Sequence, residues 1–321
     1  MAAALFRATP LVRSLPLSTR AGRDVLLKLE FKQVSGSFKD RGISHLCSEM
    51  AQTGIKGFVS SSGGNAGHSV ACMGKLLGAS VHVIVPETTK PLMLEKIRSQ
   101  DAQVTVHGEN WNAADQLARE LVEKDQELGY VPPYDHPLIW KGHASMIEEL
   151  EVSEPPSAVI VSVGGGGLLC GVLEGLKNRW PNEEITVIAA ETHGTRSFGL
   201  AVEKGKTARL ERIEGVATSL GALEVTPATL ERSAEHNGRV IPIQVSDEEA
   251  LEACCSFAED PGALVEPACG AALATLYTDT HMETVKSHLT RSGPIVAVVC
   301  GGSAVNDEIH AEWKQRLNRS T

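Results

Sequence analysis

Residues 158 to 172 read AVIVSVGGGGLLCGV. A nearly continuous apolar run, AVIVSV, stops at four glycines, Gly164 to Gly167. Beyond them Leu168, Leu169, Val172, Leu173 and Leu176 recur at helical period, the mark of an amphipathic helix. A short strand with apolar residues on both faces belongs to a parallel sheet covered by helices on each side. Four glycines are more than a tight strand-to-helix turn needs. Lacking Cβ atoms, they let the backbone approach an anion, and the free N–H groups of the helix start suit a phosphate. The spacing departs from G-x-G-x-x-G, and the acid nearest the usual ribose position is Glu191, ending ITVIAAE, so a nicotinamide cofactor is weakly supported.

Outward from this unit the same grammar repeats. VLLKLE (25–30), GFVSS (57–61), VHVIV (81–85), QVTVH (103–107), ITVIAA (185–190), VIPIQV (240–245) and PIVAVV (294–299) read as strands, with helix-like segments such as SVACMGKLLG between them. The acidic, then proline-rich EVSEPPSA (151–158) divides the units into two series. A two-lobed α/β fold follows, with ligands expected at the carboxyl ends of its strands.

Composition narrows the partners. The chain has 321 residues, 42% apolar and 22% charged, with a net charge of −10 and no basic block, which argues against nucleic acid or an anionic membrane. No apolar run approaches the roughly 20 residues of a membrane span. Seven scattered cysteines, an odd number without a CxxC pair, point to a reducing compartment rather than a disulfide framework. MAAALFRATPLVRSLPLSTRAGRD carries four arginines and no acid before Asp24, the composition of a mitochondrial transit peptide. The favoured reading is instead that Thr9 onwards is the first folded segment, leading into VLLKLE, and a cytoplasmic location is expected.

Three further stretches carry candidate chemistry. In SGSFKDRG (35–42) Lys39 falls at the first turn of a helix, where the helix dipole disfavours a second positive charge and so lowers the amine's pKa. SSSGGNAGHS (60–69) is a turn between strand and helix whose amides suit a carboxylate, with Ser62 and Asn65 as side-chain partners; an ordinary N-cap and turn explains it equally well. PIVAVVCGGSAV ends a buried strand at Cys300, which by itself reads as core filling. His136 and His143 in HPLIWKGH are compatible with one helix face and read as structural. No nucleophile elbow or paired-carboxylate pattern stands out. A lysine at a helix start, a phosphate cradle, a carboxylate turn and a polar strand end are together the parts needed to hold pyridoxal phosphate and present an amino acid to it.

LKLEFKQVSGSFKDRG, SSSGGNAG, HPLIWKGHASMIEEL, VGGGGLLCGV, AAETHGTRSF, LVEPACGAALA and VVCGGS occur in this order. Together they resemble the L-serine/L-threonine dehydratases of the tryptophan-synthase-β fold type, over nearly the whole chain, and the animal serine dehydratase and serine dehydratase-like branch above all. The resemblance implies a two-domain fold type II pyridoxal-phosphate enzyme with open, mostly parallel twisted sheets flanked by helices. The large domain would be 1–32 with 136–321, and the small one 33–135. It implies that Lys39 carries the cofactor and removes the substrate's α proton, and that Phe38 lies against the cofactor ring. Gly164, Gly165, Gly166, Gly167 and Leu168 would hold its phosphate, Asn65 its phenolic oxygen, and Cys300 would face the pyridine nitrogen. Ser62, Gly63, Gly64, Asn65 and Ala66 would hold the substrate carboxylate. A monovalent cation, potassium by expectation, would sit at Glu191, Ser197, Leu220 and Ala222. The implied reaction is β-elimination of L-serine to pyruvate and of L-threonine to 2-oxobutyrate, with ammonia released, in amino-acid catabolism and gluconeogenesis by a homodimer.

Two departures count. Gly63 stands where highly active serine dehydratases tend to carry alanine; slower catalysis is therefore expected, with a gain from Gly63→Ala. Asp40 stands where many dehydratases have a neutral or apolar residue, and the sequence assigns it no role. On the same scaffold the alternatives are racemisation, with Ser219 as a second acid/base on the opposite face, or β-replacement. From another class, the alternative is a catalytically vestigial cofactor-binding regulator.

Overall fold

The structure, a computed structural model, describes residues 4–260 and 262–320. Its strands are β1 (Leu11–Arg13), β2 (Val25–Leu29), β3 (Gly57–Ser60), β4 (Ser80–Val85), β5 (Gln103–Val106), β6 (Leu128–Tyr130), β7 (Ala158–Ser162), β8 (Thr186–Thr192), β9 (Val240–Val245) and β10 (Ile295–Val299). They form a six-stranded sheet in the order β1-β2-β10-β7-β8-β9 and a four-stranded sheet in the order β5-β4-β3-β6. Only the edge pair β1–β2 is antiparallel. Every residue of β7, β8 and β10 is buried, as expected of central parallel strands flanked by helices.

Each of the eight runs read as strands becomes one, within two residues at either end. β1 and β6 were not foreseen. They have three residues each, too short to show a period, and β1 is a half-exposed edge. EVSEPPSA does fall between the strands of the two sheets, except that β1 and β2 precede it and return to lie beside β10. The arginine-rich start is built into the fold from Thr9: Leu29 N donates to Pro10 O (3.0 Å) and Thr9 Oγ1 to Glu30 Oε1 (2.5 Å). Residues 1–3 of that segment lie outside the described residues.

Helix Gly167–Arg179 follows the tetraglycine as expected and buries Leu168, Leu169, Val172, Leu173 and Leu176. Each such side chain contributes about 1.5–3 kcal/mol relative to an exposed one. The helix packs on Pro137–Glu148, where glycine makes the approach close: a Cβ on Gly171 would stand 2.3 Å from that of His143. His136 and His143 do not share a helix face. His136 caps the helix, its Nδ1 accepting from Leu138 N (3.1 Å), while His143 is buried inside it against Phe38, ring centroids 5.0 Å apart. Burial, with the charges of Lys39 and Arg41, holds His143 neutral, which agrees with a structural role.

Candidate active site

Three loops leave the carboxyl ends of parallel strands: residues 61–64 after β3, 163–166 after β7 and 300–303 after β10. The segment carrying Lys39 is fastened to the third. Ser37 bridges Gly301, and Phe38 N donates to Cys300 O (3.1 Å). Lys39 then opens helix Lys39–Gln52. Its Nζ donates to Pro133 O (2.6 Å) and stands 5.1 Å from the centre of the Phe38 ring. Burial pushes this amine down to about 8. The lowering foreseen from the helix dipole therefore has a different main cause, desolvation of the ammonium. A shift from 10.5 to 8 leaves about 300-fold more neutral amine at pH 7 than an ordinary lysine has.

The tetraglycine needs glycine for a reason the sequence did not show. Cβ atoms on Gly165, Gly166 and Gly167 would stand 2.3 Å from the Tyr134 ring, 1.9 Å from Thr229 Oγ1 and 2.6 Å from Tyr134 O, and Gly166 has φ +93°. The loop is thus wedged between protein neighbours on its Cβ side. What remains for an anion is the start of a 13-residue helix, whose first N–H groups have no intrahelical partners. Glycine loop, buried lysine and polar strand ends together fit pyridoxal phosphate.

Asn65, first residue of helix Asn65–Leu77, faces the third loop. Its Oδ1 accepts from Ser303 N (2.8 Å) and Ser303 Oγ (3.0 Å), and its Nδ2 donates to Glu266 Oε1 (2.9 Å). Glu266 also accepts from Ala304 N (2.8 Å) and from the Ser219 hydroxyl. Ser303 holds more than Asn65. Its Oγ meets His68 Nδ1 (3.2 Å) and Met93 Sδ (3.8 Å), and its carbonyl accepts from Lys96 Nζ. Ser62 turns its hydroxyl to Gly64 N (3.3 Å), and Ala66 is buried behind the loop. A cavity of about 200 Å³ opens beside Ser219 and Glu266.

Asp40, unassigned by the sequence, is buried. It accepts from Ser35 N (2.8 Å) and Ser69 Oγ (2.6 Å), tying the SGSFK loop to helix Asn65–Leu77, and burial raises its pKa despite those bonds. At Gly63 the question is space. A Cβ there would lie 2.4 Å from Thr89 Oγ1 and 2.7 Å from Thr89 Cγ2. Any gain from Gly63→Ala requires this β-branched side chain to yield. The double variant Gly63→Ala/Thr89→Ala is accordingly expected to turn over faster than Gly63→Ala alone; steady-state rates in which the double variant is no faster would refute the crowding.

Cys300 is buried with Cys269 and Ser162 as neighbours; its contact with Cys269, then burial, hold its pKa well above the ordinary thiol value, so it is a neutral thiol. Of the four residues expected at a cation, two lie at Gly164. Ser197 Oγ donates to Gly164 O (3.1 Å), and a Cβ on Gly164 would lie 3.0 Å from Leu220 Cα, two residues before Ala222. Glu191 is fully buried and accepts from Phe198 N (2.7 Å) and Gly199 N (2.8 Å), yet burial still pushes its carboxyl up to about 7. Among the described residues no group of three or more His, Cys, Asp or Glu side chains is placed to hold a metal.

Pro133, Tyr134 and Thr89 were not singled out from sequence, and Glu266 and Ser303, though inside the quoted LVEPACGAALA and VVCGGS, were given no role there. Only Glu266 left a local signal, as an acid directly before the Pro267 that opens a helix.

The chain is similar to known proteins over most of its length. The mouse L-serine dehydratase/L-threonine deaminase is 42% identical over 303 residues, 93% of this chain and 91% of its own. The rat serine dehydratase-like protein is 41% identical over 319 residues, 98% and 95% of the two chains. The crystal structure of a fungal L-serine ammonia-lyase from Rhizomucor miehei superposes with a TM-score of 0.90 at 37% identity, covering 98% of this chain and all of that one. The family described as pyridoxal-phosphate dependent enzyme matches residues 3–301, and with near-full coverage by relatives above 40% identity the chain belongs to that family.

Proposed function

We propose that this protein is an L-serine/L-threonine ammonia-lyase that releases pyruvate or 2-oxobutyrate together with ammonia. The observation that carries the reading is Lys39, a buried amine at a helix start, fastened beside Cys300 by the Ser37–Gly301 bridge. The relatives named for this activity match the chain over more than nine-tenths of its length. Pyridoxal phosphate would be held by Lys39, by the N–H groups of Gly164 to Leu168 and by Asn65, with Phe38 against the ring and Cys300 towards its nitrogen. Bound there, it supplies an electron sink for the charge left at the substrate's Cα. Lys39 Nζ would accept the substrate's α proton. A neutral thiol at Cys300 does not keep the ring nitrogen protonated, which favours elimination over transamination. The turn from Ser62 to Ala66 binds the substrate carboxylate through its N–H groups and the Ser62 hydroxyl.

We further propose that potassium binds at Glu191, Ser197, Leu220 and Ala222. The buried carboxylate of Glu191 supports this. A carboxyl whose pKa is raised on folding costs stability as it ionises, so without a suitable cation stability should fall as pH rises from about 4.5 to about 7. Potassium, added at fixed ionic strength, is expected to raise the melting temperature at pH 8 and to have little effect at pH 5. Equal shifts at both values, or a shift retained in Glu191→Gln, would remove the cation from this site. Residues 33–135, which contain all four strands of the smaller sheet, are proposed to act as one unit and 1–32 with 136–321 as the other, in a cytoplasmic homodimer.

The direct test is keto-acid release from L-serine, L-threonine and D-serine, with pyridoxal phosphate added. Pyruvate from L-serine and 2-oxobutyrate from L-threonine establish the lyase. Bound cofactor with neither product would overturn it, and racemised serine would then favour the Ser219–Glu266 pair as a second acid/base.

A further inference from the structure

Asn65 has two acceptor sites on its side-chain oxygen and two N–H donors on its nitrogen. Both acceptor sites are taken by one residue, through Ser303 N (2.8 Å) and Ser303 Oγ (3.0 Å), and one donor is taken by Glu266 Oε1 (2.9 Å). We infer that Glu266, with Ser303, is a positioning residue that fixes which way the Asn65 amide points, so that a single uncommitted N–H of Asn65 is presented to the cofactor. This rests on the pyridoxal-phosphate reading and adds to it a role for two residues that the sequence had left without one.

The orientation follows from chemistry rather than from atom labels. A main-chain N–H can only donate, so the Asn65 atom facing Ser303 N must be the oxygen. The Glu266 oxygen that faces Asn65 already accepts from Ala304 N, so the Asn65 atom turned to it must be the nitrogen donor. Turning the amide over would set donor against donor at Ser303 and acceptor against acceptor at Glu266, both in buried surroundings where such pairs are costly. Glu266 is well placed to stay still. It is the N-cap residue of helix Pro267–Tyr277, where the helix dipole favours a negative charge. Ala304 N (2.8 Å) holds the oxygen that faces Asn65, and the Ser219 hydroxyl holds the other. The amide is therefore clamped from the strand β10 side by Ser303 and from a separate helix by Glu266.

The test separates orientation from charge. Equilibrium binding of pyridoxal phosphate to cofactor-free protein is measured by absorbance titration for wild type, Glu266→Ala, Glu266→Gln and Ser303→Ala, with thermal melting of each apoprotein alongside. Glu266→Ala should weaken binding by about tenfold or more, because the amide loses the acceptor that selects its orientation. Ser303→Ala keeps the main-chain donor and should cost about threefold. Glutamine can still offer Asn65 and Ala304 an oxygen while turning its NH2 to the Ser219 oxygen, so Glu266→Gln should bind within about threefold of wild type. Wild-type binding in Glu266→Ala overturns the inference. So does a Glu266→Gln protein that has lost tenfold, since negative charge rather than orientation would then be what matters. If Glu266→Ala does not fold, Glu266→Gln and Ser303→Ala decide by the same margins. A wild-type protein that binds no cofactor would instead overturn the pyridoxal-phosphate reading itself, so the two failures are distinct.

Discussion

Lys39→Ala is expected to lower keto-acid release from L-serine by at least about 10³-fold, within the range set by loss of a positioned general base together with a covalent attachment. On the proposed reading the amine has two roles: it would hold the cofactor between turnovers and take the α proton within one. Alanine removes both while keeping helix propensity at the first position of helix Lys39–Gln52, so the fold should be intact. Cofactor should wash out of the variant on gel filtration, whereas wild type should retain it. The wild-type amine also makes a pH prediction. Because only the neutral amine is nucleophilic and its pKa is lowered to about 8, the rate of cofactor attachment to apoprotein should rise with pH through a midpoint near 8. An ordinary lysine would still be climbing at pH 10. A midpoint above 10, or keto-acid release surviving in Lys39→Ala, would take Lys39 out of the mechanism.

The second large effect concerns stability. Arg41 sits two residues beyond Lys39, wholly buried, and grips Glu30 through Nε (2.7 Å) and Nη2 (2.8 Å). It also bonds the Glu149 carboxylate and Ser145 Oγ (3.0 Å), while Lys28 reaches Thr9 O (2.7 Å) and Glu149 from the other side. Two cations and two carboxylates thus form one knot of zero net charge, buried except for the partly exposed Glu149, joining the N-terminal segment, β2, the Lys39 helix and helix Pro137–Glu148. Removing one member leaves an uncompensated buried charge. Arg41→Ala should therefore cost about 3–5 kcal/mol in urea unfolding of the cofactor-free protein. Lysine cannot reproduce the two-pronged grip on Glu30 and should recover only part of this. Replacing Arg41 and Glu30 together by methionine should cost less than Arg41→Ala, since no orphan Glu30 charge remains. A loss below about 1 kcal/mol for Arg41→Ala would show that the knot is not what holds the Lys39 helix in place.

The parts of this fold that the sequence made legible are those whose signal is local. Buried parallel strands such as β7 and β10 write themselves as apolar runs, and the glycine loop marks the turn after β7. The strand order was not legible, because nothing local in PIVAVV says that it will lie between β2 and β7. The same limit applies within the site. Lys39, Asn65 and the tetraglycine announce themselves through their neighbours in sequence. Thr89 matters only because it meets Gly63 across the β3–helix turn, Glu266 only because folding brings it 201 positions back to Asn65. Even the reason for a lowered lysine pKa changed once burial was visible, since a helix dipole can be read from position and desolvation cannot.

Ser303 bonds to Asn65, His68 and Lys96 and touches Met93, and all four belong to helices that cover the four-stranded sheet. The residue itself hangs from β10 of the other sheet. Any motion that parts the two sheets at this point must withdraw the partners that keep the Asn65 amide in one orientation. Closing the cleft and arming it are then a single event. Were the two sheets to part here, the Asn65 amide would lose its fixed orientation until they met again.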